Sequence, residues 1–160
     1  MNILVADEAW LATALLHREH PDAEDFSLHD IRDRARREFH DDRPGVWQHI
    51  VSHCVASNRP NPAQYRMLHG SARGRRRLYR PGDPVHPERK GKTHPEKRDI
   101  PERYRSLVNW YLSDYSRRKP NTKLSRARDW LQFVGLIPAY DLEEMKEAIK
   151  DCERVDASEW

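Results

Sequence analysis

Apolar positions in the first sixty residues recur at helical spacing in three short blocks. Trp10, Leu11, Ala14 and Leu15 share a face of a helix predicted from near Asp7, an acceptable N-cap, to about Arg18, with Pro21 closing it. Ser27, followed three residues later by Asp30, has the spacing of a capping box, and Phe26 stands where a hydrophobic staple belongs. The helix it opens buries Leu28, Ile31, Ala35 and Phe39 and turns Arg32, Asp33, Arg36 and Arg37 to water. Pro44 suits the first turn of a third helix, predicted over 44–58. At 100° per residue, Trp47, Ile50, Val51 and Cys54 fall on its apolar face, flanked by Val46 and Val55. Gly45, Gln48, His49, Ser52, His53 and Ala56 fall opposite.

After the stop signal Asn58-Arg59-Pro60-Asn61-Pro62 the pattern changes to alternation. Tyr65-Arg66-Met67-Leu68 and Leu78-Tyr79-Arg80 read as strands around an arginine-rich loop, and Pro81-Gly82-Asp83-Pro84 as a turn. Residues 86–100 show no apolar periodicity and read as a basic extended arm. Pro101 opens a fourth helix with Tyr104, Leu107, Val108, Tyr111 and Tyr115 on one face, a stripe suited to a core or a dimer seam. Two further helices are predicted, at Ser125–Gly135 and from Leu142 to about Arg154. The last carries a narrow stripe of Leu142, Met145, Ile149 and Cys152 and an acidic outer face. The pattern predicts a mainly α fold with a small β-hairpin, divided as a domain at 1–85, an arm at 86–100 and a helical extension at 101–160 for dimerisation or partner docking.

Charge sharpens this picture. The chain of 160 residues has a formal net charge of +3, yet residues 59–98 carry twelve Lys/Arg against three Asp/Glu, while 1–58 sum to −5 and 99–160 to −1. The basic density peaks at Arg73-Gly74-Arg75-Arg76-Arg77, a loop suited to a phosphate backbone. Two cysteines, Cys54 and Cys152, argue against a disulfide framework. With no signal-like N-terminus and no apolar run long enough to span a membrane, the expected location is the cytoplasm, at the nucleoid.

Three helices followed by a hairpin is the order of a winged helix, whose third helix enters the major groove while the hairpin lies along the adjacent backbone. Pro44-Gly45-Val46-Trp47-Gln48-His49-Ile50, with Arg76-Arg77-Leu78-Tyr79-Arg80-Pro81-Gly82-Asp83 downstream, resembles the helix-and-wing unit of winged-helix domains in prokaryotic regulators and attached to some restriction endonucleases. The expected partner is double-stranded DNA. Gln48, His49, Ser52 and His53 are the candidates to read bases, with Gly45 or Ala56 permitting close approach. Arg59, Arg66, Arg73, Arg75, Arg76, Arg77 and Arg80 are candidate backbone contacts, extended along the arm by Lys90 and Lys92. No cofactor, metal or catalytic residue is called for, and the expected role is a non-enzymatic regulator.

Two rival readings remain at this point. One is an antitoxin or adaptor that binds a protein through its acidic C-terminal helix. The other is a small metal-dependent nuclease using His86 and His94 with Asp83 and Asp99. His49 and His53, four residues apart, also have a spacing that can hold a metal, but further ligands are missing from the pattern. Cys54 reads better as a buried apolar residue than as a nucleophile.

Overall fold

Helix α1, Val5–Glu19, is the element around which the rest packs, and it is buried on nearly every side. Ala9, Trp10, Leu11, Ala12 and Ala14 are fully buried, and Asp7, Thr13 and His17 are buried with them. The helix starts before Asp7, so Asp7 is not its cap. Its carboxylate is instead inside, with Lys92 Nζ at 2.8 and 3.0 Å from its two oxygens. In the computed structural model residues 3–40, 43–60 and 64–118 are described. They belong to one compact unit, Met1–Pro120.

A short strand β1, Phe26–Ser27, leads into α2, Leu28–Phe39. The capping box forms as the spacing predicts. Ser27 Oγ accepts from Asp30 N at 3.1 Å, and Asp30 Oδ2 accepts from Ser27 N at 3.1 Å. These bonds satisfy backbone donors that a helix start leaves open. Ile31 and Ala35 are buried, and Phe26 is buried beside them.

The third helix departs from expectation. Only Pro44–Gln48, α3, is regular α-helix; His49–His53 continues as a π-helical turn, with Cys54 N donating to His49 O at 3.1 Å. The wider turn shifts the phase of the side chains. The buried line is Val46, Ile50 and Cys54, while Trp47 and Val51 are only half-buried. Ala56 is also fully buried, and a Cβ on Gly45 would lie 3.1 Å from Val5 Cγ1. Neither residue therefore offers close approach to a ligand; Gly45 admits α1 instead.

The hairpin is displaced from the predicted strands. Strand β2 is Leu68–Ala72 and β3 is Arg75–Leu78, with Gly74 at φ 72° in the connecting turn, where a side chain would be strained. Leu68 pairs with Leu78 and Gly70 with Arg76, and the register slips between Gly70 and Ala72 at a bulge. Strand β1 adds on the other side, pairing Phe26 with Arg76, so the antiparallel sheet has the order β1-β3-β2.

Residues 86–100 are not an arm held away from the domain. His86 N donates to Ala56 O, Gly91 N to Gln64 O and Arg66 N to Lys92 O, at 2.8–2.9 Å, and Arg89, Pro95 and Ile100 are buried. A Cβ on Gly91 would lie 2.6 Å from Gln64 O, so the strap needs glycine where it crosses that carbonyl. Helix α4, Arg105–Ser113, and the turns beside it are core. Tyr104, Leu107, Val108, Tyr111 and Tyr115 join Trp10, Leu11, Met67, Leu68 and Leu78 in one buried cluster. The expected divisions at 85 and 100 thus separate nothing, and the tyrosine stripe is packing rather than a dimer seam. The helices predicted at 125–135 and 142–154 lie outside the described residues. Among the described residues no helix is long and apolar enough to cross a membrane.

Candidate nucleic-acid interface

The basic segment sorts into cations used inside the fold and cations left on its surface. A helix leaves its last four carbonyls without intrahelical donors. Here those of Ile50, Val51, Ser52 and His53 are met by two arginines from distant segments. Arg76 donates to Ile50 O at 3.2 Å and Val51 O at 3.0 Å. Arg89 donates to Ser52 O at 3.1 Å and His53 O at 2.7 Å, and also to the carbonyls of Asn58, Arg59 and Tyr65. Guanidinium charge at the negative end of a helix is favourable, and five donors in a planar fork suit several carbonyls at once. Arg76 thereby ties β3 to helix three, and Arg89 ties the strap to it.

Arg77 and Arg80, read from the sequence as wing contacts, are each only 4% exposed. Arg77 grips Asp83 with two hydrogen bonds, at 2.8 and 2.6 Å. Arg80 donates to Glu24 Oε1 at 2.9 Å, and its guanidinium lies 4.4 Å from the centre of the Tyr115 ring. Both are withdrawn from any backbone outside, because burying them paired inside satisfies each charge. Lys92 is spent on Asp7, and Arg66 donates to Gly91 O at 3.0 Å. Arg75 is half-committed, with its Nε on Asp25 while much of the side chain stays exposed.

What remains outward is smaller than the charge count suggests. Arg59, Arg73 and Lys90 are exposed and engage no carboxylate among the described residues. Arg73 stands at the hairpin tip that Arg76 docks on helix three. Arg59 and Lys90 stand beside the carbonyls that Arg89 gathers at the end of that helix. Of the candidate base readers, Gln48 is exposed and Ser52 and His53 are half-buried. His49 is turned partly inward, its ring 6.1 Å from that of Tyr65 and its Nδ1 3.3 Å from Cys54 Sγ. Burial, with His53 nearby, pushes its pKa down to about 4, so it is neutral at pH 7.

Sequence reasoning missed three members of this surface. Trp47, assigned to the core, shows part of its ring, which lies 5.4 Å from His29 and 5.6 Å from the Arg32 guanidinium. His29 and Arg32 come from α2 and bring its first two turns to the same surface. The α2 start is also joined to the hairpin, since Leu28 N donates to Gly74 O at 3.1 Å. A half-buried Trp beside an exposed Gln is a signal that spacing alone cannot supply when the helix changes its pitch.

Of the groups considered for other chemistry, His49 and His53 stand with their rings 5.0 Å apart, but no further ligand joins them among the described residues. Among the described residues no three His, Cys, Asp or Glu are gathered as a metal site requires. Asp83 is bound to Arg77, His86 Nδ1 accepts from Glu88 N, and His94 Nδ1 is 3.0 Å from Thr93 Oγ1. The Cys54 thiol is fully buried, and burial pushes its pKa up, which leaves it protonated. Compared with family models, curated proteins and solved structures, the chain matches none.

Proposed function

We propose that the chain is a winged-helix protein that binds double-stranded DNA in a sequence-directed way, as a non-enzymatic regulator. The observation that carries this reading is the docking of the hairpin on helix three through Arg76, with the exposed Gln48 and the exposed Arg73 held on the joined elements. The element order with β1 between the first two helices, and the sheet order β1-β3-β2, supports the same reading. Helix three then enters the major groove. Gln48 offers an amide that can pair bidentately with adenine, and Ser52 and His53 lie a turn further along. Arg73, Arg75, Arg59 and Lys90 meet the flanking phosphates, where they set position more than sequence. Arg76, Arg77, Arg80, Arg89 and Lys92 hold the surface in shape without touching the duplex.

Fluorescence anisotropy with labelled duplex, single strand and duplex RNA at two salt concentrations tests the proposal. Duplex DNA should bind best, with affinity falling steeply as salt rises. Gln48→Ala should flatten the preference among sequences by about 1–3 kcal/mol while leaving the fold intact. Absence of duplex binding at low salt overturns the proposal.

A further inference from the structure

The part of helix three that faces outward carries no formal charge, although the basic hairpin docks on this helix. Pro44, Trp47, Gln48 and Val51 are neighbours at helical spacing of three and four, and all are exposed or half-buried. One amide is thus flanked by two apolar side chains, without a carboxylate or a cation among these four. Trp47 is not loose. Its ring packs near His29, at 5.4 Å and tilted by 41°, and has the Arg32 guanidinium 5.6 Å from its centre. The cation of the sheet that reaches helix three, Arg76, spends its guanidinium on the carbonyls of Ile50, Val51 and Arg75.

Each base pair shows a different pattern in the major groove. Guanine offers two acceptors and is read chiefly by Arg or Lys, whereas adenine offers a donor and an acceptor that suit Gln, and thymine adds a C5 methyl that suits an apolar contact. A patch of one amide between an indole and a valine matches the second pattern. Resting on the DNA-binding reading above, we infer that helix three reads A·T pairs, with Gln48 on adenine and with Trp47 and Val51 closing on thymine methyl groups. The methyl is what a ribonucleic acid duplex lacks, and its deep, narrow major groove is closed to side chains as well. The apolar pair therefore selects DNA over RNA as well as A·T over G·C.

The test replaces thymine by uracil without changing anything else in the groove. Binding of the full chain is measured to an alternating A·T duplex, its A·U counterpart in DNA, and an alternating G·C duplex, at one fixed salt concentration. The A·T duplex should bind best, and the uracil duplex about fourfold less tightly per methyl lost, the effect of withdrawing about one buried methylene. Val51→Ala should narrow the thymine–uracil difference, and Trp47→Ala should remove most of it while binding driven by the backbone persists. Equal affinity for the thymine and uracil duplexes, with duplex binding intact, overturns this inference and leaves the DNA-binding proposal standing. Failure of every duplex to bind overturns that proposal first. The thymine–uracil comparison needs no variant, so it stays decisive even if Trp47→Ala disturbs the fold.

Discussion

Arg73 and Arg77 lie in the same hairpin and do opposite things. Arg73 is exposed at the tip and engages no carboxylate among the described residues, while Arg77, 4% exposed, is clasped by Asp83 and faces Glu24 at 3.7 Å. Arg75 and Arg76, between them, are intermediate: one shared between Asp25 and solvent, the other spent on helix carbonyls. A strand alternates its side chains between two faces, and here one face meets acids from the 22–25 loop while the other meets helix three. The charge that reads as one binding cluster is therefore mostly internal architecture. A buried cation stabilises only as part of its pair, whereas an exposed one is available to a partner but adds little to folding.

Removing a partner from the inner set is the most severe way to break this contrast. Arg77→Met leaves Asp83, 7% exposed, without the guanidinium that holds it, and should destabilise the domain by about 3–5 kcal/mol in a urea or guanidinium titration. Arg77→Met combined with Asp83→Leu should recover a large part of that loss. If the single variant is as stable as the parent, the inner set is not a structural device at all.

A second test uses protons. His17 is 3% exposed, with the Tyr115 hydroxyl 3.1 Å from its Nε2. Burial first, then the charges of Arg80 and Arg77, lower its pKa to about 3 from an ordinary 6.5. Between those values the unfolded chain takes up a proton that the folded one refuses. The contribution of His17 is thus fully present above pH 6.5 and lost as pH falls toward 3, at up to about 1.4 kcal/mol per pH unit. Asp7, whose carboxyl is raised by burial, acts in the opposite sense above its ordinary 3.8, so the comparison must be differential. His17→Gln should flatten the fall in unfolding free energy between pH 6.5 and 5 relative to the parent. An unchanged slope would mean that His17 is protonated inside the fold.

The same contrast explains how far the sequence is legible. The capping box of Ser27 and Asp30 is legible because both partners lie within one turn, and the α4 stripe because burial follows its period, whereas α1 is buried well beyond its predicted face. The fate of the arginines depends on partners far along the chain. Asp25 is fifty residues from Arg75, Glu24 is fifty-six from Arg80, and Asp7 is eighty-five from Lys92. The acids Asp22, Glu24 and Asp25, just before β1, were the available hint of that counter-charge. Helix three was misphased for a related reason. Its π-helical turn ends in carbonyls that Arg76 and Arg89 reach, and neither arginine belongs to the local window in which helical periodicity is read.

The gentlest perturbation falls on the outer set, and it bears on function rather than folding. Arg59, Arg73 and Lys90 are exposed and unpaired with carboxylates among the described residues, so replacing each by Ala should change stability by no more than about 0.5 kcal/mol. If these side chains sit on phosphates, each lost contact removes about 0.9 from the slope of log affinity against log salt, and the triple variant up to about 2.7. The loss should be similar for every duplex sequence, because a phosphate contact positions the protein without reading bases. Gln48→Ala should behave in the reverse way, changing preference and leaving the salt slope alone. Salt titrations of the parent, the triple variant and Gln48→Ala on two duplex sequences separate the two effects. A triple variant with the parental slope would move the nucleic acid to another face, and the division between inner and outer arginines would then describe folding only.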